Sequence, residues 1–216
     1  MAARKRVAGK SAKPVPARRA PTPRGVDREK PEAPPRARTN AKLDPMAYAR
    51  NLIRDIEDFP KPGIVFKDIT PLIGDPRALH IVVDALAERF IGDRIGAVVA
   101  MESRGFIFGA PLALRLNAAF VPVRKPGKLP YQVDRVAYSL EYGEAELEIH
   151  EDALARGNRV LIVDDLLATG GTARATAELV ARQGGVVVAH AFVVELTFLP
   201  GRGVLAPTPV VSLFRY

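Results

Sequence analysis

The chain has 216 residues, enough for one globular domain with a sizeable core. It contains no cysteine, which excludes disulfides, thiolate nucleophiles and cysteine-ligated zinc, and no apolar run approaches the ~20 residues that span a bilayer. The net charge of +8 hints at nucleic acid, but residues 1–40 carry 12 Lys/Arg against 3 Asp/Glu and the remainder carries 20 against 21, so the basicity belongs to the tail.

Residues 1–40 hold 7 prolines, many alanines and scattered arginines, leaving almost nothing to bury, so the segment is expected to be disordered. It reads as a solvated arm; the sharper alternative is a tether to nucleic acid or an acidic partner, which the nearly neutral core does not suggest for itself. Its proline density works against the amphipathic helix of a transit peptide. Basic residues without a following apolar stretch make no secretory signal, and the expected location is the cytoplasm. The folded domain is expected over residues 41–216.

Asp44 predicts a helix cap with Pro45 in the first turn, and Tyr48, Leu52, Ile53 and Ile56 supply an apolar face. Phe59-Pro60-Lys61-Pro62-Gly63 stops it. Leu79, Val82, Val83, Leu86 and Phe90 predict a second helix from Pro76 to Phe90. A buried strand follows over 96–101, a helix over 105–117 and a strand over 119–123. Residues 135–140 and 144–149 can pair as a hairpin around Tyr142-Gly143. Val160 to Val163 forms a buried strand ending in Asp164-Asp165, with a helix over 172–183 and further strands over 186–194 and 210–213.

Short apolar strands alternating with helices imply an α/β fold, a mostly parallel twisted sheet covered by helices on both faces. Ligands bind such sheets beyond the carboxyl ends of the strands. Three predicted strand ends carry unusual polar groups: Glu102-Ser103-Arg104, Arg124-Lys125 and Asp164-Asp165.

The strongest local signal is Val160-Leu161-Ile162-Val163-Asp164-Asp165-Leu166-Leu167-Ala168-Thr169-Gly170-Gly171-Thr172. The strand delivers two acids, and a Thr/Gly loop then opens a helix. Glycines let backbone N–H groups converge, the helix terminus adds partial positive charge, and Thr169 and Thr172 can add hydroxyl donors, which together make a phosphate cradle. Two carboxylates beside it suit the vicinal hydroxyls of a ribose, so the chemistry points to a pentose 5-phosphate. A plain capped helix start would need one acid and neither glycine. Other phosphate motifs fail: there is no GxxxxGK[ST], and Gly201-Arg202-Gly203-Val204-Leu205-Ala206 fits GxGxxA only formally, being expected to open no helix.

This segment resembles the phosphoribosyl-pyrophosphate-binding motif of type I phosphoribosyltransferases, and four more segments resemble the adenine-specific members. Phe59 to Thr70 is similar to their base-binding hood, and Glu102-Ser103-Arg104-Gly105-Phe106 to their pyrophosphate loop. Arg124-Lys125-Pro126-Gly127-Lys128-Leu129-Pro130 precedes their flexible lid, and Tyr138-Ser139-Leu140-Glu141-Tyr142-Gly143 matches its catalytic end. The resemblance runs from 45 to 216. It implies a small hood over the site and transfer of the phosphoribosyl group to adenine, giving AMP and pyrophosphate in purine salvage.

The resemblance also assigns roles. Ala168, Thr169, Gly170, Gly171 and Thr172 would hold the 5-phosphate. Asp164 and Asp165 would bind the ribose hydroxyls, directly or through Mg²⁺ carried mainly by the substrate. Glu102, Ser103, Arg104, Arg124, Lys125 and Lys128 would serve the pyrophosphate, with a non-proline cis bond at Glu102–Ser103 and Arg124 reaching a neighbouring subunit's site in a homodimer. Phe66 would stack on adenine while Val65 and Lys67 read its edge through the backbone. Glu141, on a lid over 128–141, would manage the proton at N7. Two alternatives stand beside this reading: a transferase for hypoxanthine, guanine or xanthine, which would need a buried donor toward a base carbonyl, and a DNA-binding regulator that keeps the fold as a nucleotide sensor.

Overall fold

In the computed structural model, which describes residues 44–139 and 144–216, the Asp44 carboxylate accepts from the Met46 amide at 3.1 Å and caps α1 (Pro45–Arg50). The helix is shorter than its apolar spacing predicts. Asn51 ends it, and Arg54–Ile56 forms β1, antiparallel to β2 (Phe66–Asp68) with Ile56 opposite Phe66. Arg54 donates to Asp68 from both Nε (3.2 Å) and Nη2 (2.6 Å), a cross-strand pair that holds the chain extended where a helix would have carried on. A short helix absent from the sequence reading, α2 (Thr70–Gly74), starts where Asp68 Oδ1 accepts from the Thr70 amide at 2.9 Å. Asp75 caps α3 (Pro76–Glu88) by accepting from the Ala78 amide at 2.7 Å, and Val82, Val83 and Leu86 bury its inner face.

The chain then alternates: β3 (Ala97–Met101), α4 (Arg104–Leu116), β4 (Ala119–Val123), the hairpin β5 (Val133–Ser139) and β6 (Glu144–His150), β7 (Arg159–Leu167), α5 (Gly171–Arg182), β8 (Val186–Glu195), α6 (Gly201–Val204) and β9 (Val210–Arg215). Five strands form one sheet in the order β4-β3-β7-β8-β9, every neighbour parallel. Alternate residues of β3 and β7 feed two apolar cores. Val98, Ala100, Leu161 and Val163 pack with α3 and α4 on one face; Val99, Met101, Val160 and Ile162 pack with α5 and the hairpin on the other. This is the predicted sheet covered on both sides. Among the described residues no helix is long and apolar enough to cross a membrane.

Two expectations need correction. The strand carrying Asp164-Asp165 does not end there. Its pairing with β3 stops at Ala100–Val163, but its pairing with β8 runs on to Leu167–Glu195, so the acids lie inside β7 along the side that β3 has vacated. Gly201 does open a helix, one turn long, because Gly201 packs directly on the loop that follows β7.

Candidate active site

The loop between β7 and α5 is a constrained turn. Gly170 has φ +82°, and a methyl group there would stand 2.8 Å from the Gly201 carbonyl oxygen; a methyl on Gly201 would overlap the Ala168 carbonyl oxygen. Two glycines back to back therefore let the α6 turn brace the loop. The α5 N-terminus opens into a cavity of about 80 Å³ lined by Asp164, residues 166–173 and Phe192. The amides at that terminus have no intrahelical acceptor and carry the positive end of the helix dipole, so the cavity favours an anion.

Asp164 lines this cavity, and Asp165 lines the adjoining cleft. Asp165 is buried, and Asp164 Oδ1 accepts from the Asp165 amide at 2.9 Å. Burial, reinforced by the charge of Asp165, pushes the Asp164 carboxyl well above the usual carboxylate range. Burial also raises Asp165, opposed by Arg104, whose Nε lies 2.9 Å from Asp165 Oδ2. The pair thus keeps a proton on Asp164 more readily than on Asp165, which has the cation beside it. Asp165 Oδ2 is buried and has no aligned hydrogen-bond donor, so its partner is the charge of Arg104 alone.

A cleft of about 370 Å³ joins the three polar strand ends. Glu102, Ser103 and Arg104 follow β3, Lys125 follows β4, and Asp164, Asp165 and Thr172 close the far wall. The Glu102–Ser103 bond is cis, as expected. Gly105, buried at the start of α4, makes this convergence feasible: a methyl there would stand 2.9 Å from Asp164 Oδ1. Arg124 does not point into open solvent. Its Nε donates to Glu102 Oε2 at 2.7 Å and its Nη1 to the Lys128 carbonyl at 3.2 Å. Lys128 itself is exposed and is absent from the cleft lining. A larger cavity of about 460 Å³ between α1, α3 and β9 contains none of these residues.

The hood is the β1–β2 pair. Phe66 packs edge-on against Phe59, centroids 5.2 Å apart, and the Arg104 guanidinium lies 5.7 Å from the Phe66 centroid. Arg104 therefore links the hood to the acidic pair. Val65 is exposed and, like Lys67, does not line the cleft. The Lys67 side chain turns aside, its Nζ 2.7 Å from Asp55 Oδ1 and 4.1 Å from the Tyr216 centroid. That leaves the strand backbone as the part of Lys67 able to read a base. Glu141 lies outside the described residues, between the hairpin partners Ser139 and Glu144. Sequence reasoning gave no role to Tyr138, which lines the cleft with its hydroxyl 3.5 Å from Thr172 Oγ1. Its signal was available, since it opens the lid motif.

The phosphoribosyl transferase domain matches residues 73–197 of this chain. An adenine phosphoribosyltransferase of Sorangium cellulosum is 61% identical over 176 residues, covering 79% of this chain and 88% of that protein. The chain belongs to the adenine phosphoribosyltransferases. Its fold agrees with solved members of that family. The adenine phosphoribosyltransferase of Thermoanaerobacter pseudethanolicus superposes with a TM-score of 0.77 at 51% identity, covering 79% of this chain and 99% of that one. The Saccharomyces cerevisiae adenine phosphoribosyltransferase, solved with D-2,5-dideoxy-2,5-imino-altritol 1,6-bisphosphate and adenine, gives 0.74 at 40% identity over 78% of this chain and 98% of that one.

Proposed function

We propose that the enzyme transfers the 5-phosphoribosyl group of phosphoribosyl pyrophosphate to adenine, releasing AMP and pyrophosphate in purine salvage. The carrying observation is an anion cradle and a neighbouring cleft that share Asp164 and Thr172, the cleft bringing the acidic pair together with Arg104 and Lys125, and Arg104 bridging to the hood aromatic. Ala168 to Thr172 hold the 5-phosphate. Asp165 and Asp164 hold the ribose hydroxyls, and Arg104 and Lys125 face the leaving pyrophosphate. Glu102 holds Arg124, and the Ser103 turn shapes the pyrophosphate loop. Lys128 and Arg124 complete the charge around the leaving group when the lid closes, Arg124 from the neighbouring subunit's side.

In the reaction the C1′–O bond to pyrophosphate breaks with its electron pair on the leaving oxygen, the C1′–N9 bond forms, and the N7 proton passes to Glu141. C1′ becomes cation-like on the way, so water must be kept out, which is the task of the lid over 128–141. Phe66 stacks on adenine, and the backbone of Val65 and Lys67 reads its edge. Mg²⁺ fits this site as a substrate-borne ion, because Asp164 and Asp165 line the cleft proposed to hold the ribose and the pyrophosphate. When bound it supplies neutralisation of the pyrophosphate charge.

A homodimer follows from the same reading and is supported by Leu114, 83% exposed on α4 beside a groove also lined by Leu79, Val83 and Pro111. The catalytic domain occupies residues 41–216, with 1–40 a separate basic arm, and the enzyme works in the cytoplasm. The test is incubation with phosphoribosyl pyrophosphate, Mg²⁺ and each purine in turn. Adenine alone should turn over efficiently; comparable turnover of guanine or hypoxanthine refutes the base assignment.

A further inference from the structure

Glu148 is a carboxylate in the wrong place for a hairpin. Residues of β6 should alternate between faces, and Leu147 and Ile149 do point into the core. Glu148 faces the other way, yet its side chain is only 1% exposed. What covers it is the basic segment after β4. Arg124 and Glu148 exchange both backbone hydrogen bonds, at 2.9 and 2.7 Å, so the segment joins the hairpin as a third strand for one residue. Beyond that bridge the chain turns back through Gly127, with φ +74°, and the Gly127 amide donates to Glu148 Oε2 at 3.0 Å. Glu148 Oε1 lies 2.8 Å from Nε of Arg135, its cross-strand partner.

The carboxylate therefore sits under the turn that carries Lys125 to the cleft. It reaches that turn from β6. On the opposite side Arg124 is held by Glu102 of the pyrophosphate loop. We propose that Glu148 is a positioning residue for the leaving-group site: it holds the 124–128 turn in register and fastens that turn to the lid hairpin. This rests on the reading of the cleft as a pyrophosphate site. Burying a carboxylate against a backbone amide on a surface hairpin is costly unless the amide needs the acceptor, and no other acceptor for Gly127 N–H is seen among the described residues. A lost acceptor would free the turn, and Lys125 with it.

The test uses the full-length enzyme with Glu148→Ala, Glu148→Leu and Glu148→Gln. Glutamine keeps an oxygen for Gly127; alanine does not. Glu148→Ala should raise the phosphoribosyl pyrophosphate KM and the pyrophosphate inhibition constant about tenfold, as expected for one unsatisfied buried donor. The adenine KM should stay within roughly twofold. Glu148→Gln should recover most of the loss, and Glu148→Leu, which fills the space without an acceptor, should match Glu148→Ala. Calorimetric titration of pyrophosphate onto each folded variant gives the same ranking without any base present, so a wrong purine assignment is told apart from a wrong role for Glu148. If Glu148→Ala fails to fold, the pyrophosphate affinity of Glu148→Leu takes its place. Unchanged pyrophosphate affinity in the variant without an acceptor overturns the proposal. So does an equal loss for both substrates, or a Glu148→Gln variant as impaired as Glu148→Leu.

Discussion

Replacing Asp164 with Asn should make the unliganded enzyme more stable and a worse enzyme. Burial, then the neighbouring Asp165 charge, raises the Asp164 carboxyl well above its usual 3.8, so the folded state prefers it neutral. Asparagine supplies that neutral form and keeps the oxygen that accepts from the Asp165 amide at 2.9 Å. Each unit of upward shift corresponds to about 1.4 kcal/mol in favour of the neutral form, and about 1 kcal/mol moves Tm by roughly 2–4 °C in a domain of this size. The variant should therefore melt measurably higher at neutral pH. A carboxyl whose folded pKa is raised favours folding fully below its unfolded value, and that contribution is lost as pH rises through the folded value. The advantage of Asn should accordingly shrink to nothing near about pH 4. Phosphoribosyl pyrophosphate with Mg²⁺ should stabilise wild type by about 2.7 kcal/mol at a hundredfold excess over Kd and the variant far less, while adenine affinity changes little. Calorimetric melts across pH, with and without substrate, read all three effects. A lower Tm at neutral pH, an advantage that persists in acid, or an undiminished substrate-induced shift would each refute the reasoning.

Gly201→Ala should push the Ala168 carbonyl and Leu167 side chain, costing about 1–3 kcal/mol in urea unfolding and raising the phosphoribosyl pyrophosphate KM more than the adenine KM; a variant with wild-type kinetics would remove α6 from the account of the cradle. His190 is buried against Phe192 with Nδ1 unpaired, and burial lowers its pKa from 6.5 to about 4. Its neutral form supports the fold above pH 6.5, and up to about 3 kcal/mol of stability is lost as pH falls toward 4. Denaturant unfolding at neutral and mildly acid pH should show a smaller loss for His190→Gln than for wild type. Deleting residues 1–40 should leave adenine turnover unchanged at physiological salt, where the Debye length is about 8 Å, with a small rise in apparent substrate KM at low salt, where the basic segment attracts anions over about 30 Å; initial rates at two salt concentrations test this, and a large loss at physiological salt would mean that the segment completes the site.

The parallel sheet and the cradle were legible because their signals are local. Val160 to Val163 can only be a buried strand, and Gly170-Gly171 after two acids has few uses other than receiving a phosphate. What escaped depends on distant partners. Tyr48, Leu52, Ile53 and Ile56 satisfy helical spacing, yet Arg54–Ile56 is drawn into a strand by Asp68 and Phe66. Asp164-Asp165 looked like a strand end because charges rarely continue a buried strand, but β8 supplies pairing that β3 does not. Glu148 carries no warning at all in an alternating hairpin, because its burial comes from residues 124–127 folding over it.

The acidic pair shows why this site needs both a cation and a cradle. Two adjacent buried carboxylates are unfavourable together, and Arg104 faces only Asp165. Arg104 is itself nearly half exposed, so its compensation is screened. The unliganded pair therefore settles with one acid charged and the other inclined to hold a proton. A vicinal diol offers two donors and two acceptors, so one hydroxyl can donate to the charged carboxylate while the other meets a neighbour that can donate or accept. A lone carboxylate would leave one hydroxyl without a partner, and two fully charged ones would repel the pyrophosphate that arrives on the same molecule. Under the proposed reading, one charged and one proton-holding acid suit a sugar that is polar at C2′ and C3′ and anionic at both C1′ and C5′.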